Sequence, residues 1–144
     1  MDMNSPQVEV NKIVVHYKNG AVIKGTTHDF VPEKPKFHFT HQDNRIEEID
    51  TETAKAIFFV KNFEGNKDRQ EKKDFSGIDP KTIRGLKIKV TFQDNETIIG
   101  STMGYNKQRK GFFILPIDPA SNNIRVYVVA SALKDVKLGS QTGA

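Results

Sequence analysis

The sequence predicts an all-β protein made of two tandem five-stranded small barrels related by internal duplication. Three observations carry this. First, Lys12–Thr27 aligns without a gap on Lys87–Thr102, an offset of 75 residues. The same offset pairs Phe37 with Phe112, Phe39 with Ile114 and Asp43 with Asp118. After five extra residues in the second copy, Arg45-Ile46 pairs with Arg125-Val126 and Ile49 with Val129. Self-similarity at a fixed period is a fold-level signal. Second, the repeated segments alternate apolar and polar residues, as in Ile13-x-Val15-x-Tyr17 and Ile88-x-Val90-x-Phe92, the pattern of half-buried strands. Third, these runs are short and separated by turn formers, which suits closed β architectures.

The chain has 144 residues, so each copy of about 55–60 residues is marginal for independent stability and the two are expected to share an interface. Charged residues are 28% and hydrophobic ones 36%, a folded composition. No cysteine is present, which removes disulfides, thiolate metal sites and cysteine catalysis and fits a reducing compartment. No apolar run is long enough to span a membrane, and Met1-Asp2-Met3-Asn4 does not open like a signal peptide. A cytoplasmic location without membrane contact is expected. Net charge is +4, unevenly spread: residues 1–60 hold 7 basic and 9 acidic side chains, residues 61–87 hold 8 and 5, and residues 88–144 hold 7 and 4. The basic second half raises the prospect of an anionic partner there.

The expected order is a polar lead (1–10), a first barrel (11–63), a charged connector (64–85), a second barrel (86–138) and a frayed tail (139–144). In the first unit, Ile13-Val15-Tyr17 forms one strand and Ala21-Ile23-Gly25 the next. A three-residue loop Lys18-Asn19-Gly20 places Val15 opposite Ile23, with Gly20 at positive φ. Asn95 occupies the equivalent place, and Asn is among the few residues that tolerate that conformation. Strands at 36–41 and 46–49 follow, then a capped turn at Asp50–Thr53. The run Ala56-Ile57-Phe58-Phe59-Val60 does not alternate, so it should be buried on both faces, between the units. The second unit repeats this with strands near 86–92, 97–104, 111–117, 124–130 and 136–138. Asp79-Pro80 in the connector marks one helical turn.

Hydrophobic-x-hydrophobic-x-aromatic, a turn, then Ile-x-Gly resembles the opening of SH3/Sm-like barrels, over about twenty residues of each half. Two longer stretches, Lys55–Asn66 and Gly111-Phe112-Phe113 with Asp118–Val126, resemble an uncharacterised bacterial domain family of unknown function. That resemblance implies domains found alone or beside signalling domains. It does not bring Sm-type RNA binding with it. The residues after Gly25 and Gly100 lack the Asp-x-x-x-Asn spacing, and Arg84-Gly85 lies in the connector. A cyclic-dinucleotide receptor of the PilZ type would need an Arg-x-x-x-Arg arm, which the five arginines do not make.

The sequence assembles no nucleophile–base–orienter set, no P-loop and no GxGxxG, so a non-enzymatic protein without cofactor is expected. His16, His28, His38 and His41 all fall in the first unit without metal-ligand spacing, and they read as surface or rim residues. Two segments are candidate binding sites. Tyr105, Lys107, Arg109 and Lys110 combine cations with aromatics on an inter-strand loop, the composition of a single-strand stacking platform. A solvated loop tip is the competing reading. Asn122, Asn123 and Arg125 end the five-residue insertion, a turn-rich loop able to meet a carboxylate or phosphate. The expected function is a binding or regulatory module for a protein partner, with single-stranded nucleic acid at the basic loop as the alternative.

Overall fold

The computed structural model describes residues 10–64, 75–118 and 120–142. Residues 1–9 of the polar lead and 65–74 of the charged connector therefore lie outside the described residues. The fold is all-β. Its strands are β1 (Asn11–Tyr17), β2 (Val22–Thr27), β3 (Lys36–His41), β4 (Ile46–Asp50), β5 (Ala54–Val60), β6 (Leu86–Phe92), β7 (Thr97–Thr102), β8 (Gly111–Ile114), β9 (Asn123–Val129) and β10 (Leu133–Leu138).

The turns obey their local chemistry. Val15 faces Ile23 and Val90 faces Ile98, the register of the three-residue loop. Gly20 has φ 93° and Asn95 φ 72°, as that loop requires. Asp50 accepts the Glu52 N–H and opens the 3-10 turn Thr51–Thr53. Asp79 does the same for Lys81 in the turn Pro80–Thr82. The tail differs from expectation: Gly139–Thr142 winds into a further 3-10 turn packed on β6, with the Gln141 amide oxygen accepting from the Leu138 N–H.

The two closed five-stranded barrels expected from the sequence do not form. The strands instead make a seven-stranded sheet, β4-β3-β2-β1-β5-β9-β8, and a three-stranded sheet, β10-β6-β7. The physical reason lies in β5. It pairs with β1 on one side and, on the other, takes β9 from the second half, with Ile57 opposite Tyr127 and Phe58 opposite Val126. The edge that would close the first unit is thus occupied by the second. β8 stays with β9, and among the described residues the backbone bridge to β7 is the isolated one between Ser101 and Leu115, just past the end of β8.

This central pairing divides the core into two. Ile57 and Phe59 of β5, with Tyr127 and Val129 of β9, join Ile13, Val15, Phe37 and Phe39 in one cluster. Ala56 of β5, with Val126 and Val128 of β9, joins Ile88, Val90, Phe92, Phe112 and Ile114 in the other. Alternate residues of the same strands therefore serve opposite cores, which is why the 56–60 run is apolar throughout. Lys55 pins the junction from within. It is 8% exposed, bonds Asp94 at 2.7 Å and Glu96 at 2.9 Å, and stands 4.7 Å from the Phe92 ring centre. Burial opposes its charge, but the two carboxylates hold its pKa above the usual lysine value.

Candidate functional site at the junction of the two halves

Two recesses flank the β5–β9 pairing. The first is a seam beside β7. Ser101 and Leu115 exchange both backbone hydrogen bonds, at 2.9 and 2.8 Å. Alternation along an antiparallel ladder directs the N–H and C=O of Ile99 to the same side. There the ladder stops: Leu115 is the last bridged residue and the chain bends at Ile117. The opening is a cavity of about 200 Å³ lined mainly by apolar side chains, among them Phe58, Ile98, Ile99, Ile117 and Val126. His16, Glu96, Asp118 and Asn123 supply polar groups at its walls.

His16 stands where β1 bulges between His16 and Tyr17, a device that re-aims a side chain. Its ring lies 4.5 Å from that of Phe58. Burial pushes its pKa below the usual histidine value, against the opposing pull of Glu96. A neutral imidazole at neutral pH is the consequence. His38 bonds Asp29 at 2.6 Å and is raised in pKa by that carboxylate. His41 meets Glu47 at 2.7 Å.

The second recess crosses Tyr127. Two adjoining hollows of about 220 and 190 Å³ share Pro32 and Tyr127. Arg109 borders one and Lys110 the other. Gly111 makes room for the phenol: a Cβ there would fall 2.4 Å from the ring carbon and the hydroxyl of Tyr127.

The sequence-predicted residues separate on these surfaces. Tyr105 turns inward and packs edge-on against Phe112, ring centres 5.0 Å apart, so its ring belongs to the second core. Lys107, Arg109 and Lys110 lie exposed on a turn fixed by Asn106, which accepts from Gln108 N–H. Asn122 is a clamp: its backbone carbonyl accepts from Lys61 N–H at 2.9 Å and its side-chain nitrogen donates to the Asn62 carbonyl at 2.9 Å. Asn123 lines the seam cavity. Arg125 stacks over Phe59 at 4.4 Å and Phe113 at 4.7 Å, on the first-core side. Its neighbour Phe113 meets Phe30 and Tyr127 edge-on and Phe59 at a tilt. The insertion loop itself is an Asx turn, Asp118 accepting from Ala120 N–H.

The sequence reading missed His16, Phe58, Ile98, Ile99 and Ile117 as cavity residues, and Thr51 and Tyr127 as groove residues. The one available signal was Tyr127, which the sequence alignment sets against Glu47.

Residues 9–140 match a family of unknown function, DUF6982. The chain belongs to that family. No curated protein and no solved structure matches it significantly. Among the described residues, no helix is long and apolar enough to cross a membrane.

Proposed function

We propose that this DUF6982 chain is a non-enzymatic, cytoplasmic binding module that takes an extended segment of a protein partner along β7. In this reading it is a tandem duplication of one SH3/Sm-like five-strand unit from a bacterial signalling setting. The strand order within each half supports that ancestry. β4-β3-β2-β1-β5 in the first half has its counterpart in β9-β8-β7-β6-β10 in the second, counting the Ser101–Leu115 bridge.

The observation that carries the proposal is the interrupted ladder at Ser101. An incoming strand would meet the backbone of Ile99 in line with an existing bridge, which is how strand addition gains affinity. The apolar cavity beneath it holds one aliphatic or aromatic side chain and supplies selectivity.

The test is peptide display against the immobilised protein, followed by amide exchange with a selected peptide. We expect the Ile99 amide to exchange at least tenfold more slowly in the complex, and Ile117→Asp to abolish binding without unfolding the half-buried site. Selected peptides that leave the Ile99 amide unprotected and tolerate Ile117→Asp would overturn the reading.

A further inference from the structure

The groove across Tyr127 has a different chemistry from the seam and is served by different residues. Tyr127 is 2% exposed, so its ring is core, yet the residue lines both hollows with the hydroxyl as its polar end. Thr51 lines one of the two hollows, and its Oγ1 is buried without a partner among the described residues. The two hydroxyls in one recess can both donate, and that of Thr51 lacks an acceptor. A buried hydroxyl left unpaired is costly, so the fold gains when something supplies the acceptor.

The rim indicates the sign of that acceptor. Arg109, Lys110 and Lys34 border the hollows. Of the two carboxylates there, Glu52 is already engaged: it accepts from the Ser131 hydroxyl at 2.9 Å and pairs with Lys18 at 3.6 Å. Glu33 alone remains against three cations. Burial, reinforced by Glu52 and Glu33, raises the Tyr127 pKa against the pull of Arg109. The hydroxyl therefore keeps its proton and acts as a donor at neutral pH.

We propose that this groove binds a compact oxyanion, the phosphate ester or carboxylate of a small molecule, with the Tyr127 and Thr51 hydroxyls, Arg109 and Lys110 as its donors. Arg109 supplies a planar fork suited to either group, and Lys110 a point charge. The site is independent of the β7 seam and stands or falls without it.

The test is an NMR titration of the whole chain with inorganic phosphate and, separately, with succinate at matched ionic strength. Saturable shifts centred on Thr51, Lys110, Gly111 and Tyr127 are expected with at least one of the two. Phosphate alone would assign a phosphate ester, succinate alone a carboxylate, and both an unselective oxyanion site. Tyr127→Phe removes only the hydroxyl, so it should keep the melting temperature while weakening binding at least fivefold. Arg109→Ala, on an exposed turn, should weaken it about tenfold. No saturable shift with either anion would overturn the proposal. So would affinity unchanged in Tyr127→Phe and Arg109→Ala, or shifts spread over all exposed lysines.

Discussion

Ile13 and Ile88 lie one in each core, and both are fully enclosed. Truncating either to alanine removes three carbons. At ~0.8 kcal/mol per buried methylene this forfeits roughly 2.4 kcal/mol. The cavity left behind adds ~24 cal/mol per Å³, bringing the loss to about 3–4 kcal/mol. For a domain of this size that lowers the melting temperature by roughly 10 °C. The sharper expectation concerns where the loss is felt. β5 and β9 each give one face to each core, so neither cluster can open without exposing the other. Ile13→Ala should therefore accelerate amide exchange of Ile88 and Val90 as much as that of Val15, when measured by NMR under mild denaturant. Equal free energies and slopes for the slowest amides of β1 and β6 would mark one cooperative unit. If Ile13→Ala loosens β1 to β4 while β6 and β7 keep their protection, the two halves are separate folding units and the reasoning fails.

Glycines test the close approaches. Gly25→Ala places a Cβ 2.3 Å from the Thr40 carbonyl oxygen, and Gly100→Ala the same distance from that of Leu115. Each should cost about 3 kcal/mol or more in chemical denaturation, whereas Gly20→Ala, with open space but φ 93°, should cost about 1 kcal/mol. Acidification provides a third measurement. His16 has a depressed folded pKa, so the unfolded chain takes up its proton first and stability falls as pH drops below about 6.5. His16→Gln should flatten the denaturation midpoint over that window. His38 has the opposite sign. Its raised pKa makes its contribution complete below about 6.5 and lost as pH rises through the folded value, so Asp29→Asn should remove a decline on the alkaline side.

Local order was legible because it depends on few neighbours. The Lys18-Asn19-Gly20 loop, the positive φ of Asn95, the Asp50 and Asp79 caps and the doubly buried 56–60 strand all follow from residue type and spacing. Closure was not legible. Whether β5 turns back to its own unit or accepts β9 depends on the competition between two edges far apart in sequence. Alternation reports only that both faces of β5 are apolar, a condition each arrangement satisfies. The sites divide in the same way. Lys107, Arg109 and Lys110 announce themselves as exposed cations. Tyr105 looked like a stacking surface, since sequence alone does not show that Phe112 would draw its ring inward. His16 owes its place to a bulge, and the Tyr127 phenol owes its place to the space left by Gly111.

The β5–β9 pairing also bears on what the covalent link between the halves is for. Hydrogen bonds and two interlocked cores already join them, so continuity of the backbone between Glu64 and Phe75 adds proximity more than cohesion. A chain expressed as two pieces divided there should reassemble when the pieces meet, each supplying the strand the other needs to bury its apolar face. Neither piece should be soluble alone. The molecule is in that sense a ready-made split pair, whose recombination can be made to report that two fused proteins have come together.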